Sequence, residues 1–337
     1  MMSVQTETMV LQGKHSGPYR LQRPLGNGGS AQVYLATHMQ SGRHVAIKVV
    51  RRPGSDAAIK QLCNEARILP RLHHPHIVRI LDFDNTETFS FLVMEYALRG
   101  TLRQQYSIGT QLPFPTIARY VQQVAAALQY THSFGYIHRD VKPDNLLLAL
   151  DGQAQLSDFG IATTAYYADR IHDKFGTAPY TAPEQADGNP CAASDQYSLA
   201  IVAYEWLSGH PPFAGTTPEI IWQHHMAMPP SLASRGRIVP YVVEQVIQRA
   251  MAKNPLQRFE NVMQFSHRLT WAMQQPICPE QARAVQNTAT SRTTLRRTTR
   301  NAISPAQNLP QTERTIFSHP ATQGDRPMIR QKSRLSC

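Results

Sequence analysis

A glycine cluster near the start of the chain has the residue types needed to cradle a phosphate group. Gly26, Gly28 and Gly29 lie within four positions of one another, and a strand-like run, Val33–Ala36, follows them instead of a helix. A dinucleotide-binding fingerprint needs a helix directly after its glycines. The order strand, glycines, strand therefore favours a β-hairpin over nucleotide phosphates, where missing Cβ atoms let main-chain N–H groups approach. On these residues alone, a simple hairpin turn remains the alternative.

Lys48 ends a run of otherwise apolar residues, Val-Ala-Ile-Lys. An uncompensated ammonium group is costly in such surroundings. It therefore needs an anionic partner, and Glu65 in the following helical segment is the natural candidate. Taken one at a time, a solvated surface lysine and a solvent-facing glutamate remain the simpler interpretations.

The most specific signal is the segment HRDVKPDN at 138–145, followed by DFG at 158–160 and APE at 182–184. With the glycine cluster and Lys48, this ordered set resembles the eukaryotic-type serine/threonine protein kinase family, and its bacterial members most. The resemblance covers about residues 19–270. Five motifs in the order and spacing of one family do not arise by chance.

The resemblance implies a role for four polar side chains. Asp140 would be the catalytic base that accepts the hydroxyl proton of the acceptor, and Lys142 would neutralise charge on the transferred phosphoryl group. Asn145 and Asp158 are oxygen ligands of the kind that Mg²⁺ prefers, with Mn²⁺ as an alternative metal.

The same resemblance implies an ATP pocket between two lobes. Lys48, held by Glu65, would bind the α- and β-phosphates. Apolar side chains would enclose the adenine ring, and the main chain of Glu95 and Ala97 would bind its edge. Ala31 replaces the usual third glycine of the phosphate-covering hairpin. The implied ATP-binding residues are Leu25, Gly26, Asn27, Gly28, Gly29, Ser30, Ala31, Gln32, Val33, Ala46, Lys48, Glu65, Met94, Glu95, Ala97, Leu147 and Asp158.

Substrate type and two supporting contacts are also implied by the resemblance. Lys142 together with Thr177 matches the serine/threonine branch, so protein serine and threonine hydroxyls are the expected acceptors, those of the chain itself included. Asp195 is expected to brace the catalytic loop. Arg258 is expected to pair with Glu184 of the APE motif.

Regulation is less defined. In the family, an arginine at the position of Arg139 often binds a phosphate on the activation loop. Between Thr164 and Thr177 this chain has no serine or threonine, and Asp169 and Asp173 lie there instead. Two interpretations stay open: one of these carboxylates pairs with Arg139, or both are solvated. The alternative phosphorylation sites are Thr163, Thr164, Tyr166 and Tyr167.

The candidate site residues lie in two regions of the chain that have different sequence patterns. Strand-like runs predominate over about 19–96, with one helical segment at about 56–72. Apolar stripes at helix spacing predominate over 97–274, where Ser194 is a candidate N-cap and Gly209 a candidate end of one helix. We therefore expect an α+β fold of two lobes, a small antiparallel sheet with one key helix and a larger, mainly helical lobe.

Composition supports a globular, reduced protein. The chain has 337 residues, 42% of them hydrophobic, which is enough for a substantial core. No apolar run reaches the roughly 18 residues of a membrane helix. The four cysteines are scattered without CxxC pairs. A cytoplasmic protein without a transmembrane segment is therefore expected.

Most of the formal charge of +11 belongs to a tail. Residues 276–337 contain ten Lys/Arg and three Asp/Glu. We expect a flexible leader at 1–18, a kinase domain at 19–274 and a disordered basic tail at 275–337. Three interpretations of the tail stay open: a solvated linker, an autophosphorylation segment, or a basic strip that contacts nucleic acid or anionic lipid.

Two other functions are alternatives to a kinase. A pseudokinase scaffold, which binds ATP or partners without catalysis, predicts loss of Lys48, Asp140 or Asp158, and all three are present. A small-molecule phosphotransferase of the same fold generally lacks the APE segment and the Gly-Thr pair seen here at 176–177.

Overall fold

Two lobes make up the computed structural model of the protein, which describes residues 15–16, 18–27, 31–51, 56–85, 89–159 and 178–277. The predicted α+β class, with an antiparallel sheet before a helical region, is confirmed. Among the helices of these residues, none combines the length and the apolar character required to cross a membrane.

The N-terminal lobe is built on one antiparallel sheet. Its strands are β1 (His15–Ser16), β2 (Tyr19–Asn27), β3 (Gln32–His38), β4 (His44–Arg51), β5 (Ile80–Asn85) and β6 (Phe89–Glu95). They lie in the order β1-β2-β3-β4-β6-β5. Because side chains alternate along a strand, Val45, Ile47 and Val49 of β4 pack in an apolar cluster on one face. Lys48 consequently lies on the other face.

Helix α1 (Asp56–Ile68) covers that second face. Ala58 and Leu62 pack there against β4 and β6. The sequence predicted a helix as far as residue 72, but the α-helix ends at Ile68 and a 3-10 turn, Leu69–Arg71, follows. Pro70 explains the difference, because it has no N–H to donate to the preceding turn of an α-helix.

The C-terminal lobe is a group of helices around one buried helix, α5. Its helices are α2 (Leu102–Gln105), α3 (Phe114–Ser133), α4 (Pro183–Ala186), α5 (Ala192–Ser208), α6 (Thr217–Met226), α7 (Tyr241–Ala250) and α8 (Val262–Met273), and its strands are β7 (Leu146–Leu148) and β8 (Ala154–Leu156). Every residue of α5 from Ser194 to Ser208 is buried. A helix buried on all sides serves as the core of its lobe.

Local hydrogen bonds set both ends of α5. The prediction of Ser194 as N-cap is wrong, because the helix begins at Ala192 with Cys191 as its cap. Ser194 lies at the third helical position, where its Oγ accepts a hydrogen bond from the Cys191 N–H at 3.0 Å. The predicted end at Gly209 is confirmed, with a left-handed φ of 88°. Glycine adopts this conformation without the cost that a Cβ atom brings.

Gly209→Ala should lower the free energy of unfolding more than Gly236→Ala. Both glycines have a left-handed φ, which costs another residue about 1–2 kcal/mol. A Cβ on Gly209 would also lie 3.0 Å from the Gly109 carbonyl oxygen, whereas one on Gly236 would meet no atom within 4 Å. Urea denaturation of the two variants gives the comparison. Equal losses would contradict the close approach of Gly109.

Candidate active site

The segment between α3 and β7 contains the candidate catalytic residues, and a buried carboxylate on α5 holds it. The two oxygens of Asp195 accept the main-chain N–H groups of His138 and Arg139, both at 2.8 Å. His132, in the last turn of α3, places Nε2 2.7 Å from Asp195 Oδ2. Arg139 has a left-handed φ of 70°, a conformation that costs a non-glycine residue about 1–3 kcal/mol. The bracing contact expected of Asp195 is therefore present.

Asp140, Lys142 and Asn145 form one hydrogen-bonded group. Lys142 Nζ lies 2.9 Å from each carboxylate oxygen of Asp140. Asn145 Nδ2 donates to the Asp140 carbonyl at 2.8 Å and to its Oδ2 at 2.9 Å. Because the amide nitrogen of Asn145 is used in this way, its amide oxygen is the atom suited to a metal ion. The carboxylate is fixed by two donors, as positioning of a general base requires.

Lys48 is paired with two carboxylates, one from each lobe. Its Nζ lies 2.9 Å from Glu65 Oε2 and 2.8 Å from Asp158 Oδ1, so the predicted ion pair with Glu65 is confirmed. Burial alone would lower the pKa of Lys48, but the charges of Asp158 and Glu65 outweigh burial and raise it. Burial likewise opposes ionisation of Asp158, and Lys48 nevertheless holds the pKa of that carboxyl below its usual value. The trio is ionised and carries one net negative charge, which favours an additional cation.

Asp158 and Phe159 are fixed to the catalytic loop through His138. Asp158 has a left-handed φ of 55°. The Phe159 ring is fully buried, with its centroid 4.6 Å from that of His138. Burial lowers the pKa of His138, so the neutral ring donates from Nε2 to the Ser157 carbonyl, 3.0 Å away. The residues before and after Asp158 therefore both contact His138, Ser157 through its carbonyl and Phe159 through its ring.

The apolar residues implied for the adenine ring come together. Ala46 and Met94 are buried, and Leu25, Val33 and Leu147 pack against them in one cluster. Sequence reasoning missed three further members of the cluster, Val78, Ile80 and Tyr96. The sequence around Val78 and Ile80 predicts a strand, so both are expected to be core residues. The local sequence does not distinguish a core residue from one that lines a pocket.

The main chain beside this cluster offers one clear donor. The Glu95 N–H donates to the Arg79 carbonyl at 3.0 Å, so it is already used. The Ala97 carbonyl accepts from Gly100 at 3.0 Å, while the Ala97 N–H has no main-chain partner within the described ranges. Of the main-chain groups of Glu95 and Ala97 implied for the adenine edge, the Ala97 N–H is therefore the available donor.

The glycine-rich segment closes a β-hairpin, as predicted. Asn27 of β2 is opposite Gln32 of β3, so residues 28–31 connect the two strands. A Cβ on Gly26 would meet no atom within 4 Å, and Ala31 packs against the apolar cluster under α1. Gly28, Gly29 and Ser30 lie outside the described residues.

Arg258 and Glu184 form the expected pair. Arg258 Nη1 and Nη2 each lie 2.7 Å from one carboxylate oxygen of Glu184. Ser194 Oγ donates to Glu184 Oε1 at 2.6 Å. Burial favours the neutral acid, but the hydrogen bonds and charge of Arg258 lower the pKa of Glu184 below its usual value. The predicted sites Gly160, Thr163, Thr164, Tyr166, Tyr167, Asp169, Asp173 and Thr177 lie outside the described residues, as does any contact between Arg139 and those aspartates.

Two contacts near the site were not predicted. His132 reaches Asp195 across 63 residues of sequence, and Arg103 reaches Glu205 across 102. A fully buried carboxylate needs hydrogen-bond donors around it, but the sequence does not indicate which helix supplies those donors. Both partners were therefore found only in the structure.

The polar groups of the site fit a metal–nucleotide complex. The Asp158 side chain is 37% exposed, and Asn145 offers a second side-chain oxygen in the same site. Mg²⁺ is commonly held by one or two protein oxygens together with phosphate oxygens. Lys48 places a cation on the side of the N-terminal lobe, and Lys142 places one on the side of the C-terminal lobe.

Comparisons with known proteins agree with this arrangement. The family model described as "Protein kinase domain" matches residues 19–271. The chain is 34% identical over 258 residues to serine/threonine-protein kinase PrkC of Bacillus subtilis, covering 75% of this chain and 40% of PrkC. It is 34% identical over 324 residues to serine/threonine-protein kinase PknA of Mycobacterium tuberculosis, covering 93% and 74%. A probable serine/threonine-protein kinase PknB of Bifidobacterium longum is 34% identical over 268 residues, covering 74% and 39%. The chain thus spans about two fifths of the length of PrkC and of that PknB.

Arg258→Met should lower the free energy of unfolding by about 3–5 kcal/mol, because Glu184 would remain as an uncompensated, largely buried charge. Adding Glu184→Met should recover part of this loss. Recovery should be incomplete, because Arg258 also donates to the carbonyls of Ala193 and Ala252. Arg67→Met, at an exposed position, is the control and should change stability by no more than about 0.5 kcal/mol. A loss below about 1 kcal/mol for Arg258→Met in urea denaturation would contradict the pair's importance.

Proposed function

The chain belongs to the protein kinase family, and on this premise we propose that it transfers the γ-phosphoryl group of Mg·ATP to serine and threonine hydroxyls of proteins. One observation carries the proposal: the Asp140 carboxylate is held by Lys142 and Asn145 beside the cluster of Lys48, Glu65 and Asp158. The charges of Asp140 and Lys142 act on Asp158, so the two groups belong to one site.

Asp140 is the proton acceptor. An acceptor hydroxyl that approaches its carboxylate gives up its proton as the oxygen attacks the γ-phosphorus. Lys142 Nζ lies 2.9 Å from both carboxylate oxygens. Its positive charge therefore stands where negative charge develops on the transferred group.

The remaining polar residues hold the nucleotide. The Asn145 amide oxygen and the Asp158 carboxylate would hold Mg²⁺, which would neutralise charge on the phosphate oxygens. Lys48 binds the α- and β-phosphates, and Glu65, 1% exposed, keeps the ammonium in position. The cluster around Ala46 and Met94 encloses the adenine. All of these groups position reactants or neutralise charge, which is most of what phosphoryl transfer requires.

Protein serine and threonine residues are the proposed acceptors, those of this chain included. The names of the bacterial relatives and the presence of Lys142 support this choice. No residue of the set Lys48, Asp140, Asn145 and Asp158 is replaced, so a pseudokinase has no observation in its favour.

We also propose that residues 19–274 form the catalytic unit. The family match over 19–271 and the end of α8 at Met273 support that boundary. The segment 275–337, with its many arginines and hydroxyl residues, is the proposed target of self-phosphorylation. Contact of this segment with nucleic acid or anionic lipid, and a cytoplasmic location, stay predictions from the sequence.

Asp140→Asn tests the proposed reaction. Incubation with labelled ATP and Mg²⁺ should label the parent chain or a generic basic protein on serine and threonine, as read by phosphosite mapping. The variant should be slower by about 10²–10⁴-fold, the contribution of a positioned acid–base group. Its ATP affinity should change by less than about threefold, because Asp140 does not bind the nucleotide in this scheme.

The control is Asp84→Asn, an exposed carboxylate on β5, which should match the parent. A parent chain that labels no protein, itself included, would overturn the proposed function. Loss of ATP binding in Asp140→Asn would show that the role given to Asp140 is wrong.

Lys48→Met should reduce kcat/KM for ATP by about 10²-fold or more, because it removes a preorganised cation from the phosphate site. Lys60→Met removes an exposed lysine from the same lobe and should leave the rate unchanged. Steady-state kinetics give the comparison, and a thermal melt checks that Lys48→Met remains folded. A folded Lys48→Met variant with nearly full activity would refute the assignment.

A further inference from the structure

Two arginine side chains converge on the turn between β7 and β8. The point where a Cβ atom would stand on Gly152 lies 3.4 Å from Arg99 Nη1 and 3.9 Å from Arg119 Nη1. Arg99 belongs to the connection between β6 and α2, and Arg119 belongs to α3. Both arginines are exposed, whereas Gly152 is buried. Three segments that are distant in sequence therefore meet at one place on the surface.

Hydrogen bonds hold these three segments together on either side of the turn. The Leu148 N–H, at the end of β7, donates at 2.8 Å to the carbonyl of Gly100, the residue after the first arginine. The Ala154 N–H, at the start of β8, donates to Gln123 Oε1 at 2.9 Å. Gln123 lies four residues after Arg119 in α3, and residues at that spacing share one face of a helix. The main chain that carries each arginine is therefore fixed relative to the turn.

The charges of the two arginines are not compensated by neighbouring acids. In the described part of the chain, neither guanidinium group has a carboxylate oxygen within 4.0 Å. The neighbouring acid, Asp151, uses its two oxygens on Gln153, which donates from its main-chain N–H at 3.0 Å and from Nε2 at 2.8 Å. Two like charges close together repel each other. An anion bound to both would remove this repulsion.

A phosphoryl group has the charge and the number of oxygens that two guanidinium groups require. A phosphate ester on serine or threonine carries about −1.5 to −2 charges at neutral pH, on three acceptor oxygens. Each guanidinium group offers a planar fork of N–H donors that matches phosphate geometry. The resulting charge-assisted hydrogen bonds are about 2.7–2.9 Å long, so one phosphoryl group can reach both arginines. A carboxylate brings a single charge and two oxygens, which one arginine can satisfy.

We propose that Arg99 and Arg119 form a binding site for a phosphoryl group at the turn between β7 and β8. None of the residues given a role in the candidate active site belongs to it. The ligand is a phosphate carried by a protein, as phosphothreonine or phosphoserine, or inorganic phosphate itself. The protein-borne source rests on the proposed function, which makes such proteins its products. The binding site itself does not depend on that function.

The test uses a dye-labelled peptide of glycine and alanine with one central phosphothreonine, and the same peptide with threonine or glutamate at that position. Fluorescence anisotropy of the full chain, without ATP, gives each Kd. The parent should bind the phosphothreonine peptide about tenfold or more tightly than the threonine peptide, because two charge-assisted pairs form. The glutamate peptide should fall between them. A phosphothreonine peptide that binds no more tightly than either of the other two would overturn the site.

Substitutions locate the site. Arg99→Gln and Arg119→Gln should each lower the preference for phosphothreonine to about threefold or less, because a single exposed ion pair contributes little. The double variant should lose the preference, and Arg99→Lys should keep more of it than Arg99→Gln, since an ammonium keeps the charge without the fork. Arg268→Gln, at an exposed position of α8, is the control and should match the parent. A thermal melt checks folding. A folded double variant with the parental preference would overturn the site.

Competition with inorganic phosphate distinguishes the two sources. A Ki of phosphate below the Kd of the phosphothreonine peptide upholds the site with free phosphate as its ligand, and a Ki above that Kd upholds it with a phosphorylated protein. The peptide is synthesised with its phosphate, so binding needs no transfer activity. A parent chain that prefers this peptide but labels no protein would refute the kinase function and uphold the site. A parent chain that labels proteins but lacks the preference would refute the site and uphold the function.

Discussion

A fully buried carboxylate must be surrounded by donors, and Asp195 obtains its donors from the catalytic loop. Burial alone would raise the pKa of Asp195, but His132 and the main-chain N–H of Arg139 lower it below its usual value. The loop can give two successive N–H groups to one side chain only if it turns sharply. Arg139 makes that turn in the left-handed region. The position of the next residue, Asp140, is therefore set by α5 and not by the loop itself.

Helix α5 gives the same support to two other segments. Ser194, in its first turn, donates to Glu184 of the APE motif, and Glu205, near its end, accepts from Arg103 and Tyr180. These segments have little apolar core of their own, whereas α5 is buried along nearly its whole length. Polar side chains inside a core are costly unless paired. The buried polar side chains of α5 are therefore completed by hydrogen bonds from the segments that carry the chemistry.

The sequence predicted those parts of the site that follow from local pattern or from family motifs. Lys48 was assigned a partner because an isolated ammonium among apolar residues is unfavourable, and Glu65 is the partner found. The start of α5 was misplaced by three residues, because a serine at the third helical position offers the same oxygen as an N-cap serine. Arg103 gave no signal, because a long basic side chain on a short helix is usually solvated. Its role depends on Glu205, which tertiary packing alone brings close.

Two charge clusters of the described residues follow one arrangement. In each, a single cation serves two carboxylates, one buried and one exposed: Glu65 and Asp158 around Lys48, and Glu205 and Asp144 around Arg103. The buried members, 1% and 3% exposed, fix the cation, because an unpaired charge is least tolerable there. The exposed members, 37% and 51%, keep part of their surface open. The excess negative charge of each cluster is therefore carried next to the member that keeps part of its surface open. A fully buried carboxylate could not contact an external ligand. An exposed carboxylate without a neighbouring cation would not be held in one position.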